Sequence, residues 1–409
     1  MLIISDDQAW NDYSHTGHQQ IETPRLDALA AESVTFTRGY VSSPLCRPSL
    51  ASILTGLPTH VHGITGNDPA TGDRSIHNMA SRRYPRHDKL HNVLYDRLDE
   101  QPNFVKALAG AGYATLQTGK WWEQDPKRYG FSHAMTHGDP RRGARHGDAG
   151  LVISRKGIGP IREFLDEVTT GEGSRPFFIW HAPLLPHTPH SPPKALLEKY
   201  EKLAPTKPTA RYWAMCEWFD QTCGELLDEI AGRGFADSTA VLYVTDNGWI
   251  QDPGKMNKFQ PRSKNSPYEG GIRTPISVRM PGVTEPRRDE ETLVAAIDLP
   301  TTILRLAGID VPAEMRGIDL LDTQRLVARD AVFGSEFPHN IADVRQPDVG
   351  WDSRYVVSGG WKLIDHANLP DELFDVKNDP SEERNLFDER PAVAERLQLA
   401  IDRWWSRDQ

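Results

Sequence analysis

Cysteine is scarce in this chain, with three in 409 residues. Cys46, Cys216 and Cys223 supply no disulfide framework. Cys216 and Cys223 stand seven apart in a helical stretch and are expected to face one core stripe; no further Cys or His sits beside them at metal-ligand spacing. Long apolar runs are also missing, and none approaches the ~18 residues of a membrane span. No leader precedes the apolar Leu2-Ile3-Ile4, so the expected location is cytoplasmic, or periplasmic or secreted if the N-terminus is missing. Positive charge is in deficit, with 47 Lys and Arg against 57 Asp and Glu and a net charge of −10. That argues against a nucleic-acid surface, which should be basic. It leaves an anionic substrate open, because a bound divalent cation and a few Lys or Arg can reverse the local potential. Internal repeats and low-complexity tracts are absent.

What is present is a large core and many loop residues. Eleven Trp, 13 Phe and 11 Tyr can fill a sizeable interior, while 31 Pro and 32 Gly suit an enzyme with long loops better than a helical bundle. The length allows one large domain and a smaller one. The boundary is placed at 344/345, where the pattern changes to strands at Tyr355–Val357, Trp361–Ile364 and Glu372–Val376 and a final helix over 390–405. The expected architecture is α/β: a mixed central sheet sandwiched by helices over residues 1–344, then a small antiparallel α+β unit over 345–409.

Two strands end in acids. Leu2-Ile3-Ile4-Ser5 runs into Asp6-Asp7, and Ala240–Thr245 runs into Asp246-Asn247-Gly248. In α/β sheets ligands gather at the carboxyl ends of strands. Adjacent acids repel each other and are explained by a cation; Asp and Asn supply the hard oxygens that a calcium-like ion takes. The plain alternative for Asp6-Asp7 is a solvated turn. Gly248 is read as permitting a sharp turn.

Between Ser42 and Gly66 stands Cys46-Arg47-Pro48-Ser49, followed by an apolar run closing on Thr55-Gly56. Pro48 is expected at the first helical position. Cys46 then lies near a helix N-terminus that favours an anion, where a cysteine can be reactive; a buried inert thiol is the plain alternative. Lys120, after a strand and Gly119, reads as an anion clamp or as a surface lysine. Residues 66–92 read as a polar loop over the site mouth, and residues 125–150, with Arg141, Arg142, Arg145 and His146, as a substrate loop or a solvated one.

The order of these motifs resembles the formylglycine-dependent sulfatases of the alkaline-phosphatase superfamily. The resemblance rests on Asp6-Asp7, Cys46-x-Pro48-Ser49 with Leu54-Thr55-Gly56, Gly119-Lys120-Trp121, Pro186-His187-Thr188-Pro189, Asp246-Asn247-Gly248, and Lys264 with Tyr268-Glu269-Gly270-Gly271. It implies an alkaline-phosphatase-like fold and hydrolysis of a sulfate ester, of a small molecule or a glycan. It implies one divalent cation, calcium by preference with magnesium or manganese as alternatives, held by Asp6, Asp7, Cys46, Asp246 and Asn247. Residue 46 would be the nucleophile, after oxidation to formylglycine in the family. Lys120 and Lys264 would neutralise the transferred group, and His187 would protonate the leaving oxygen, with His181 and His190 as the other assignments. Glu269-Gly270-Gly271-Ile272-Arg273 is read as scaffold. Leu184-Leu185-Pro186 looks like an insertion.

Two positions depart from the family pattern. Leu50 stands where the family has Arg, and Trp122 where it has His. Both family residues hold and activate the formylglycine hydrate, and Arg47 lies a helical face away from substituting. The expectation is that Cys46 is unmodified, modified by another route, or idle. Phosphate or phosphonate ester hydrolysis on the same scaffold, and a non-catalytic binding protein, are the competing readings. No oligomeric state follows from the sequence.

Overall fold

The strand Leu2–Ser5 lies parallel to Phe177–Ala182 on one side and to Val241–Thr245 on the other. This computed structural model describes residues 1–70, 85–136, 152–171 and 174–405. The sheet around that strand runs in the order Val294–Ala295, Val34–Tyr40, Arg273–Arg279, Val241–Thr245, Leu2–Ser5, Phe177–Ala182, Ala114–Gly119, His133–Ala134, and Arg287–Asp289 joins alongside Val34–Tyr40. Arg273–Arg279 is antiparallel to both of its neighbours, which makes the sheet mixed.

Continuous apolar strands of this kind need cover on both faces, because successive side chains point opposite ways. Leu2 and Ile4 join a core with Leu242, Val244, Phe178 and Trp180 under the helices Cys46–Thr55, Phe104–Gly110 and Asp298–Leu306. Ile3 joins Tyr243 and Ile179 on the opposite face, under Pro24–Ala31, Gly159–Val168 and Lys207–Gly232. The α/β sandwich expected from the sequence is present.

A second, antiparallel sheet has the order Val332–Glu336, Ser353–Ser358, Trp361–His366, Glu372–Asp375. Its first strand comes from before residue 345, so the sheet recruits a strand from the larger unit. One face packs on the helix Pro391–Trp404 through Val356, Leu363, Leu373, Leu397 and Ile401. The other face, with Tyr355, Val357, Ile364 and Phe374, is continuous with the main core.

Two local expectations change. The helix after Ser42 begins at Cys46, so Pro48 is its third residue rather than its first. The stretch 66–92 is not all loop: a helix spans Pro85–Asp99, its polar composition hiding an apolar spacing of Leu90, Leu94 and Leu98. Cys216 and Cys223 are both buried on the helix Lys207–Gly232, but their surroundings differ. Cys216 packs with Ile21, Tyr212 and Trp249, and Cys223 with Met215, Phe219 and Leu226. Arg141, Arg142, Arg145 and His146 lie outside the described residues.

Candidate active site

The register Ser5 to Thr245 sets two strand ends side by side, and with them Asp6-Asp7 and Asp246-Asn247. A continued strand would send the side chains of residues 6 and 7 to opposite faces. Asp7 instead takes a left-handed backbone, φ 64°, a conformation that Asp tolerates better than most residues. The Asp7 N–H donates to Asp246 Oδ1 at 3.2 Å, and Asn247 Nδ2 donates to Asp7 Oδ1 at 2.7 Å. Gly248 is needed for a reason other than the expected sharp turn. Its φ is not positive, but a Cβ there would lie 2.0 Å from the Gly270 carbonyl oxygen.

Lys120, one residue past the strand Ala114–Gly119, donates to Asp6 Oδ1 at 2.5 Å and to Asp246 Oδ2 at 3.2 Å. Lys264 donates to both oxygens of Asp7, at 2.6 and 2.7 Å, and lies 3.1 Å from Cys46 Sγ. Cys46 Sγ is 4.0 Å from Asp7 Oδ1. Of the three candidate histidines, His187 reaches the cluster: its Nε2 is 3.4 Å from Asp7 Oδ2, while Nδ1 is 2.6 Å from the Thr188 carbonyl. That contact orients the ring with Nε2 inward. His181 is held in the sheet by Thr118 and Ser154, and His190 packs against Tyr212 and Trp249. The sequence-predicted residues Asp6, Asp7, Cys46, Lys120, His187, Asp246, Asn247 and Lys264 therefore meet in one buried cleft.

Burial sets the protonation pattern there. It pushes the Asp6 carboxyl up to about 6 and Asp246 up to about 7, against the pull of Lys120 on both. Burial would raise Asp7 as well, but Lys264, His187 and Lys120 together hold it well below the usual carboxylate range. Burial lifts the Cys46 thiol to about 12 despite the two lysines, and lowers His187 to about 4 despite Asp7.

The donor set suits a hard cation. Three buried carboxylates face two ammonium groups, and Asp6 Oδ2 and Asn247 Oδ1 are buried without a hydrogen-bond partner. Buried orphan acceptors are costly unless an ion or water satisfies them. Asp6, Asp7, Cys46 and His187 each offer a ligand atom within 4.8 Å of the others, so the His187 ring stands close to any ion that the acids hold.

Further side chains surround the cluster. Arg47 is buried in a two-point pair with Glu123, both contacts 2.6 Å, and turns away from Cys46 as expected. Leu50 shares the apolar cluster that holds Cys46. Lys120 Nζ lies 5.1 Å from the centre of the Trp122 ring, and Lys264 Nζ 5.8 Å from that of Trp249. Trp249 could have been suspected, since it follows Asp246-Asn247-Gly248 directly. Arg155, which holds the loop carrying His187, had no sequence signal.

Known proteins resemble this chain in sequence and in fold. The N-acetylgalactosamine-6-sulfatase of Sus scrofa is 27% identical over 357 residues, covering 79% of this chain and 64% of that protein. The chain thus spans just under two thirds of that relative's length. An arylsulfatase of Clostridium perfringens is 23% identical, over 95% of this chain and 89% of its own. Among solved structures, Ps i-CgsB in complex with k-i-k-neocarrahexaose aligns with a TM-score of 0.76 at 21% identity, covering 99% of this chain and 92% of that one. The phosphonate monoester hydrolase of Silicibacter pomeroyi aligns at 0.68 and 21%, covering 100% and 95%. These structural likenesses establish the fold. Residues 259–403 match the family model for the C-terminal part of N-sulphoglucosamine sulphohydrolase. Residues 1–309 match the sulfatase model over most of the chain, and the chain belongs to the sulfatase family.

Proposed function

We propose that this protein is a metal-dependent sulfuric ester hydrolase that removes sulfate from a saccharide, with residue 46 as the attacking group. The observation that carries the reading is the convergence of Asp6, Asp7, Asp246, Asn247, Lys120, Lys264 and His187 around Cys46 in one cleft. A saccharide is favoured because relatives bear names such as N-acetylgalactosamine-6-sulfatase, and a fold neighbour was solved with D-glucosamine-2-N, 6-O-disulfate.

Asp6, Asp7, Asp246 and Asn247, with residue 46, would hold one divalent cation, calcium by preference and magnesium or manganese as alternatives. When bound, it supplies Lewis-acid polarisation of a sulfate oxygen. Lys120 and Lys264 neutralise charge on the transferring group, in a cleft dry enough for that to count. Residue 46 attacks sulfur as the ester S–O bond breaks. His187, with a ligand atom within 4.8 Å of that of residue 46, takes at Nε2 the proton residue 46 gives up and passes it to the departing oxygen. Water then breaks the bond between residue 46 and sulfur to restore residue 46. Over a turnover the ester and one water become an alcohol, sulfate and a proton.

A thiol is a soft ligand beside hard oxygens. An aldehyde hydrate at residue 46 would make the set uniform. Against that, Leu50 gives residue 46 no donor, and the Trp122 ring stands by Lys120. We read these departures as marking a residue 46 that is not processed in the family's usual way. The fold likeness to a phosphonate monoester hydrolase keeps phosphate or phosphonate esters as a second reading.

Turnover of a panel of sulfated saccharides and aryl sulfates, with calcium or manganese added and aryl phosphates and phosphonates alongside, tests the assignment. Preference for sulfate, abolished by Asp7→Asn, is the expected result. Preference for phosphonate replaces it with the second reading, and binding of sulfated saccharides without turnover of any ester would make this a binding protein. The mass of the peptide bearing residue 46 is read on the same sample; formylglycine there would overturn the interpretation of Leu50 and Trp122.

A further inference from the structure

His187 sits on irregular backbone. The strand Phe177–Ala182 ends at Ala182, and the segment 183–190 carries five apolar or proline residues with no ladder to hold them. Irregular buried backbone must place its carbonyls on other donors. At the near end the Asp6 N–H donates to the Leu185 carbonyl at 3.0 Å. At the far end Asn257 Oδ1 accepts from the His190 N–H at 2.9 Å, and Arg211 donates to the His190 carbonyl at 3.0 Å.

Between these anchors one guanidinium gathers the segment. Arg155 Nη2 donates to the carbonyls of Leu184 at 2.9 Å and His187 at 3.2 Å. Arg155 Nη1 donates to Ser191 Oγ at 3.0 Å and lies 3.5 Å from the Pro189 carbonyl. Its plane is backed by the Trp218 ring, 5.5 Å away. The Arg155 backbone is itself pinned in a tight turn between Ser154 and Gly157. A planar fork with donors on two edges suits this task, and a lysine cannot reproduce it.

We propose that Arg155 is the positioning residue that sets the His187 ring over Asp7. The inference rests on His187 acting as the acid in the proposed hydrolysis. Arg155 touches neither the sulfate nor the cation ligands in this account; it acts by fixing the backbone from which His187 projects. Loosening that backbone withdraws the proton donor while leaving Lys120, Lys264 and the acids in place.

The test compares wild type, Arg155→Lys and Arg155→Ala on sulfate esters whose leaving groups span a range of acidity, with calcium added. A nitrophenolate leaves with little help, whereas a sugar alkoxide needs the proton. Arg155→Lys is expected to lower kcat ~10- to 100-fold on sugar sulfates and less than ~3-fold on a nitrophenyl sulfate, with KM nearly unchanged. Added guanidinium ion is expected to restore part of the Arg155→Ala loss. An equal loss for every leaving group, or no loss, overturns the proposal. A separate reading uses protein labelled with carbon-13 at histidine. The ring signal of His187, assigned through His187→Gln, should shift in Arg155→Lys while that of His181 stays; an unmoved His187 signal also overturns it. That arm stands even if wild type turns over no ester, an outcome that would fail the hydrolase reading instead.

Discussion

Lys264 has a place that charge alone explains. Its ammonium rests on both oxygens of Asp7 and within 3.1 Å of Cys46 Sγ, buried from water. Removing it takes away a cation that would face negative charge developing on the transferring group. Lys264→Ala is expected to lower kcat by ~10²- to 10³-fold, measured with calcium at saturation so that a weakened cation site is separated from lost catalysis. Asn247 offers a cleaner probe of the cation. Calcium added to wild type should raise the thermal midpoint, with ~2.7 kcal/mol gained at a hundred times the dissociation constant, and Asn247→Leu should erase that rise. Away from the site, His62 makes a pH prediction. Its Nδ1 accepts from the Ile64 N–H at 3.1 Å, so its Nε2 faces the Ser52 hydroxyl at 2.9 Å as a donor. Burial, with neighbouring His60 adding to it, lowers its pKa from 6.5 to about 3. Between those values the unfolded chain binds a proton that the folded one refuses, so stability falls as pH falls. His62→Gln should flatten the stability profile in that window by about one proton, ~1.4 kcal/mol per pH unit; an unchanged slope in denaturant titrations would contradict it.

At the scale of elements, strand ends do most of the assembling. Lys120 is aimed by its strand through the Lys120 N–H, which donates to the Ala182 carbonyl at 2.7 Å. That approach is possible because Gly119 has φ +83° and a Cβ there would meet the Ala182 carbonyl oxygen at 2.0 Å. Gly119→Ala should therefore cost at least about 2 kcal/mol of stability and lower activity together; a urea midpoint equal to wild type would refute the packing argument. The strand segments themselves were readable from their apolar runs, and so were the acids that follow them. The helix Pro85–Asp99 was not, because its charged majority masks the Leu90, Leu94 and Leu98 spacing. The start of the helix at Cys46 was also misjudged by two residues. Pro48 at its third position still costs the helix no bond, because an N–H there would lack an intrahelical partner in any case.

At the scale of the whole molecule, a buried charge cluster ties the antiparallel sheet to the central one. Lys362, on the antiparallel sheet, lies 3.3 Å from Glu269 and 2.6 Å from Glu382, and Glu382 Oε2 accepts from the Glu269 N–H at 2.7 Å. Tyr40 donates to Glu269 from the central sheet at 3.2 Å. Glu269-Gly270-Gly271 thus serves as scaffold, tying the C-terminal sheet to the segment that carries Lys264. Lys362→Met would leave the buried Glu382 without its counter-charge and Glu269 with Arg273 alone, 3.5 Å away. It should cost ~3–5 kcal/mol, read as a fall in the urea midpoint, and a small effect would show that this charge cluster does not hold the sheets together.

Local sequence determined the strands, the acids at their ends, the cysteine-bearing helix and the identity of the residues that meet in the cleft, because apolar runs and strand-end chemistry are short-range properties. Only the tertiary structure decided which histidine enters, that Arg47 answers to Glu123, and that Arg155 gathers the His187 segment. Those depend on where irregular backbone finds its hydrogen-bond donors, and such donors come from residues distant in the chain with no periodicity to announce them.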